Sequence, residues 1–433
     1  MSAEFTRLAN GLVVVTETMP HMETSSLGVW VGVGARHERP HQHGLSHLLE
    51  HMAFKGTASR SAQQIAEEIE AVGGDLNAAT GQETTAYYAR VLGGDEGLAL
   101  QIIADILQNP VFAEAELVKE REVILQEIAA IQDSPDDIAY DLAHDAAYPQ
   151  QAAGRTILGT PRTVRAITPD DLKAFLRDHY RPSNMIVAGA GALRHDDIVR
   201  HAEALFGGLS GGCEGFEDPA AYRGGVRASP RRFEQAHVVM GFHSPSYRKV
   251  EFFAAQVLSG VLGGGMSSRL FQEIRERRGL CYAIYTSAWG LKDTGLFAVH
   301  AATGDKLIEE LIDVVSDEID KMADLGPSAA EVSRAKAQLK SGLLMSLESS
   351  SARAEQLARQ MLLHGRLLPT SELIAAIDRV TERDVQDIAR RLRSEEAAVA
   401  VVGAGRRSQD LAARAANRLS CRASYPVRAN RGP

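Results

Sequence analysis

Cysteine is scarce in this chain. Three residues in 433, Cys213, Cys281 and Cys421, are far apart and odd in number. They form neither a disulfide framework nor a C-x-x-C metal knuckle, and a reducing compartment is expected. Long apolar runs are missing too. No stretch approaches the ~20 apolar residues that span a bilayer. Residues 1–20 lack a basic region followed by a continuous apolar one, and Leu12 to Val15 is short and strand-like. No membrane partner is expected, and the expected location is cytoplasmic. Positive charge is not in excess either. A net charge of −9 argues against nucleic acid and anionic lipid as main partners.

What is present is a soluble globular composition, 45% hydrophobic and 24% charged. At 433 residues the chain is too long for one ordinary core, so two or more domains are expected. Strands are expected at Gly11 to Thr18, at Ser26 to Gly34 and, as a pair, between Asp75 and Val91. Helical spacing marks residues 61–72, 97–107 and 114–131, the first ending in Gly73-Gly74. Glycines crowd Gly207 to Gly225, which reads as a linker. Beyond it the order repeats: a strand at His237 to Phe242, helices at 250–262 and 268–277, and strands at 282–287 and 295–301. Long helices follow at about 305–324 and 328–365. Residues 180–189 and 396–405 look like equivalent late strands of the two halves. The expected organisation is therefore a domain over 1–210, a linker over 211–226 and a homologous domain over 227–433, with a frayed basic tail from about 406.

Residues 44–51 read Gly-Leu-Ser-His-Leu-Leu-Glu-His. His47, Glu50 and His51 form an H-x-x-E-H, the inverse of the H-E-x-x-H zinc signature. On a helix, positions i and i+4 differ by ~40° around the axis, so both imidazoles leave one face about a turn apart. That suits a tetrahedral Zn²⁺ with nitrogen donors at roughly 2.0–2.1 Å. Glu50, ~60° from His47 on the wheel, stands beside the metal rather than on it. Leu45, Leu48, Leu49 and Met52 supply an apolar face, and Phe54-Lys55-Gly56-Thr57 ends the helix.

Two histidines leave a catalytic zinc short of its three protein ligands. On the helix 114–131, Glu120 and Glu127 are seven apart and share a face. Helical carboxylates are most often solvated surface. Glu127, however, lies among Ile124, Leu125, Ile128 and Ile131, where a carboxylate needs a partner.

With these residues the chain resembles the pitrilysin/insulinase family of inverted-zincin metallopeptidases, in its bacterial branch similar to mitochondrial processing peptidase. The match extends from His47-Leu-Leu-Glu50-His51 to Gly44-Leu-Ser, Gly56-Thr57, Leu76-Asn77-Ala78, Arg121-Glu-Val-Ile-Leu-Gln-Glu127, Gly154-Arg155 and Leu158-Gly159. It covers essentially the whole chain.

The resemblance implies an α+β fold of two homologous α/β-sandwich domains of about 210 residues each, half of a clamshell chamber. It makes Glu127, 76 residues after His51, the third ligand beside His47 and His51, with one Zn²⁺ per chain. Glu50 becomes the general base, and Glu120 an acidic residue supporting the ligands. Arg275 and Tyr282, seven apart in the second half, match the family's substrate clamp, and Asn77 and Ala78 its peptide-binding edge strand. The second half has no H-x-x-E-H.

The implied activity is hydrolysis of short or unfolded peptides by a homodimer, or by a heterodimer with a homologous chain. The rival expectation is a non-catalytic scaffold or partner subunit of the same fold. Its members lose ligands or the base, and this chain keeps all four residues. His41, His43, His144 and His179 have no usable pairing and read as loop or core.

Overall fold

The computed structural model describes residues 3–211 and 218–420. It divides into two compact units. Unit 1 is Met1–Asp133, Gln150–Ala220 and Lys340–Ile374; unit 2 is Ser134–Pro149, Ala221–Leu339 and Ala375–Pro433.

In unit 1 a six-stranded sheet is built from β1 (Glu4–Arg7), β2 (Val13–Thr18), β3 (Thr24–Val31), β4 (Asp75–Thr80), β5 (Thr85–Leu92) and β6 (Met185–Gly191). The order is β1-β2-β6-β3-β5-β4, so β4 is an edge. Strand alternation gives the sheet two apolar faces. Val14, Leu27, Val29, Tyr87 and Val187 pack under the helices Leu45–Ala53 (α1), Glu96–Gln108 and Glu114–Ile131 (α2). Val13, Val15, Trp30, Ile186 and Ala188 meet a different set of residues, described below.

Unit 2 repeats the plan with β7 (Gly225–His243), β8 (Cys281–Gly290), β9 (Gly295–Thr303) and β10 (Ala398–Ala404). The expected strand His237 to Phe242 is only the end of β7. Its two limbs flank β10, with Gly225 and Gly241 both paired to Ala398. In the same way β2 runs parallel to β6 on one side while β3 runs antiparallel on the other. The late strands are thus equivalent, and so are their glycines. A Cβ on Gly191 or on Gly403, both at positive φ, would stand 2.3 Å from a neighbouring strand's carbonyl oxygen. Only glycine fits there.

The contiguous domains over 1–210 and 227–433 require correction. Helix α3 (Pro135–Ala147), from the first half of the chain, covers the second face of unit 2's sheet, with Ile138, Ala139 and Ala143 on Val239, Ala298 and Ala400. Helix α4 (Ser350–His364), from the second half, covers the second face of unit 1 through Ala354, Leu357, Ala358 and Met361. The expected helix 328–365 is accordingly two, Ala329–Ser346 and α4. The break is made by Ser349, whose hydroxyl accepts from the Ala352 N–H and caps α4. Arg353 then ties α4 to Glu17, both side chains largely buried.

The basic tail from about 406 also needs correction. Ser408–Ser420 is a helix packed through Leu411, Ala412 and Ala415. Its arginines answer acids of the helix Ile308–Leu325: Arg414 pairs with Asp313 at 2.7 Å and Arg418 with Asp317. Cys213, Cys421 and residues 212–217 of the expected linker lie outside the described residues, and the linker's last two residues, Gly225 and Val226, already belong to β7.

Candidate active site

Helix α1 begins without a side-chain cap of its own. Its N-cap is Gly44 at φ +94°, and a Cβ there would lie 2.7 Å from the Leu158 carbonyl oxygen. The cap comes from Glu38, which is fully buried. Its carboxylate accepts from the Gly44 N–H at 2.9 Å and the Ser46 N–H at 2.7 Å. An acidic group at this end also meets the positive pole of the helix dipole. Burial nevertheless pushes the Glu38 carboxyl up to about 7, against the pull of those hydrogen bonds and Arg155. Leu45, Leu48, Leu49 and Met52 anchor the helix in the core and turn His47, Glu50 and His51 the other way.

The two imidazoles lie 4.7 Å apart, centroid to centroid. From α2, Glu127 sets one carboxylate oxygen 3.7 Å from His47 Nε2 and the other 3.7 Å from His51 Nε2. Donor atoms of the three residues all lie within 4.8 Å of one another. Two nitrogens and a carboxylate oxygen converging this way fit a zinc ion with one coordination position left over. Burial, helped by the neighbouring His51, holds the His47 imidazole down at about 4, so it stays neutral as a ligand must.

Glu120, 6% exposed, lies one heptad back on α2. One oxygen is 3.0 Å from His51 Nδ1, which leaves Nε2 to face Glu127, and the other is 2.8 Å from Lys55 Nζ. A carboxylate on the far nitrogen fixes a ligand histidine's tautomer and ring orientation. Glu50 points into the same space with Oε2 buried and without a hydrogen-bond partner among the described residues. Burial raises its pKa above the ordinary carboxylate value, Thr80 and His51 draw it back, and Glu127 adds to the rise. Such a carboxylate is placed to exchange a proton with something bound at the cluster.

The expected residues thus meet on two helices. Asn77 and Ala78 lie on β4, the edge beside this site, where Thr80 also approaches α1. Arg275 and Tyr282 belong to unit 2. They contact each other, the guanidinium 4.8 Å from the Tyr282 ring and 4.6 Å from Phe271, with Tyr282 76% exposed. Three residues escaped the sequence reading: Glu38, Lys55 and Thr80. Lys55 lies just past the C-terminal end of α1, two residues beyond Ala53, where no helical periodicity points to it. Glu38 left only an indirect signal, a helix opening on glycine with no capping residue.

The model of the insulinase family (peptidase family M16) matches residues 13–161, and that of the peptidase M16 inactive domain matches residues 166–339. An "uncharacterized zinc protease" of Rickettsia bellii is 39% identical over 398 residues, covering 92% of this chain and 96% of that protein. The Bacillus subtilis "uncharacterized zinc protease YmxG" is 35% identical over 395 residues, covering 91% and 96%. A protease of Helicobacter pylori shares the fold at a TM-score of 0.83 with 23% identity, covering 93% of this chain and 98% of that one. Carrying the ligand motif in the first matched segment and none in the second, this chain belongs to the insulinase family, peptidase family M16.

Proposed function

We propose that the chain is a zinc-dependent metalloendopeptidase acting on short or unfolded peptides, in the manner of a processing peptidase. The observation that carries this reading is Glu50: a buried carboxylate oxygen without a partner, beside three converging ligand residues. His47, His51 and Glu127 hold one Zn²⁺, and Glu120 keeps His51 oriented. The ion supplies Lewis-acid polarisation of the scissile carbonyl and makes water acidic enough to react near neutral pH. Glu50 takes the proton from the attacking water and returns it to the leaving amine. The peptide adds along β4 beside Asn77 and Ala78 as an extra strand.

The family resemblance supports a dimer, with Arg275 and Tyr282 of each chain holding substrate at the partner's metal site. Glu50→Gln tests the central claim: it should keep zinc and lose hydrolysis of a fluorogenic peptide. Substantial turnover by the zinc-loaded variant would remove Glu50 from the chemistry. Mixed dimers of Glu50→Gln and Tyr282→Phe chains should recover part of the lost activity, and no recovery would refute the shared site.

A further inference from the structure

A cavity of about 520 Å³ lies in unit 1 on the face of the sheet turned away from the metal. It is bounded by β3, β5 and the end of β4 on one side and by α4 on the other. Its lining includes Trp30, Ala79, Tyr88, Ala352 and, on α4, the exposed pair Glu355 and Arg359. Those two charges stand 3.5 Å apart and cancel, so the opening is neutral and the walls are mostly apolar. The volume is of the order that binding pockets reach, about 300–1,000 Å³.

Strand register connects this cavity to the active site. Ala79 pairs with Ala86, while its neighbours Ala78 and Thr80 pair with Tyr87 and Thr85. Ala86 and Tyr88 belong to the α4 face, whereas Ala78 and Tyr87 belong to the face under α1. Successive side chains of a strand alternate between faces. A peptide added to the free edge of β4 continues the alternation. Its residues opposite Ala78 and Thr80 turn towards α1, and the one between them, opposite Ala79, turns into the cavity.

We propose that this cavity is a specificity subsite for a bulky apolar side chain, phenylalanine or leucine in size, of a peptide strand paired to β4. The subsite rests on the peptidase reading and adds to it a substrate class: peptides with a large apolar residue next to one that faces the metal helix. Charged side chains are disfavoured, because the Glu355–Arg359 pair leaves no net field to receive them.

The test is a positional scan of otherwise alanine-rich fluorogenic peptides, walking one phenylalanine through successive positions around the cleaved bond. One position should show a kcat/KM for phenylalanine about tenfold above that for glycine. Ala352→Phe, which fills the cavity, should reduce that ratio at least fivefold at that position. Ala352→Met serves in the same assay should the larger variant fail to fold. A ratio unaffected by either folded variant overturns the subsite.

Calorimetric binding of the same peptides to zinc-loaded Glu50→Gln protein keeps the two claims separate. Phenylalanine discrimination that Ala352→Phe abolishes there supports the subsite even if wild-type turnover fails. Turnover without discrimination overturns the subsite and leaves the peptidase standing.

Discussion

Lys55 Nζ sits 2.8 Å from Glu120, whose other oxygen is 3.0 Å from His51 Nδ1. The lysine therefore holds the carboxylate that orients His51. Removing such a supporting carboxylate typically costs ~10–100-fold in metal affinity. Glu120→Gln should weaken zinc binding by about that factor. Lys55→Met should act in the same direction by a smaller factor, with Lys55→Arg recovering most of the loss. Competition with a chromophoric chelator measures all three. Equal zinc affinity in Lys55→Met and wild type would mean that the lysine is only surface charge.

Gly44 and Gly11 have nearly the same backbone angle, φ +94° and +95°. They differ in surroundings: a Cβ on Gly11 meets nothing within 4 Å, but one on Gly44 meets the Leu158 carbonyl at 2.7 Å. Gly11→Ala should cost about 1 kcal/mol, the left-handed penalty alone. Gly44→Ala should cost clearly more and should also reduce zinc content, since α1 must shift. Urea denaturation of the two variants decides this, and equal losses would refute the steric account.

Glu38 is a carboxyl whose folded pKa lies near 7 against an ordinary value of 4.5. Below pH 4.5 it is protonated whether folded or not and imposes no cost. As pH rises further the unfolded chain releases the proton while the folded chain keeps it, so stability falls until about pH 7 and is level above. Wild type should therefore lose stability relative to Glu38→Gln between pH 4.5 and 7, on the order of 3 kcal/mol over the window. Denaturation midpoints of both proteins across that range check the sign. A gap that is flat, or that widens in favour of wild type, would contradict it.

The exchange of α3 and α4 makes each unit from both halves of the chain. Proteolytic nicking between Gly207 and Gly225 should leave the fragments together through gel filtration and separate them only in denaturant. Fragments that part in plain buffer would mean that the exchanged helices contribute little.

Much of the candidate metal site was legible because its logic is local. The i,i+4 histidines and the seven-residue step from Glu120 to Glu127 follow from helix geometry, and the family spacing joined the two helices. Hydrophobic alternation likewise exposed β2, β3, β5 and the pair β6 and β10. What stayed hidden depended on which surfaces meet. The apolar stripe of α4, Ala354-Leu357-Ala358-Met361, says that a face is buried but not against which sheet. Nor does any periodicity announce that Glu38 reaches across a loop to cap α1, or that β7 bends to embrace β10 from both sides.

The late arrival of α4 has a bearing on synthesis. The residues proposed to hold the metal are all made by residue 127, yet Val13, Val15, Trp30 and Ile186 gain their cover only when residues 350–364 emerge from the ribosome. From the completion of β6 at Gly191 to the start of α4 at Ser350, more than a third of the chain's length, the sheet of unit 1 presents a bare apolar surface. A chaperone working on the nascent chain would find its binding site there, on the face opposite the proposed metal site.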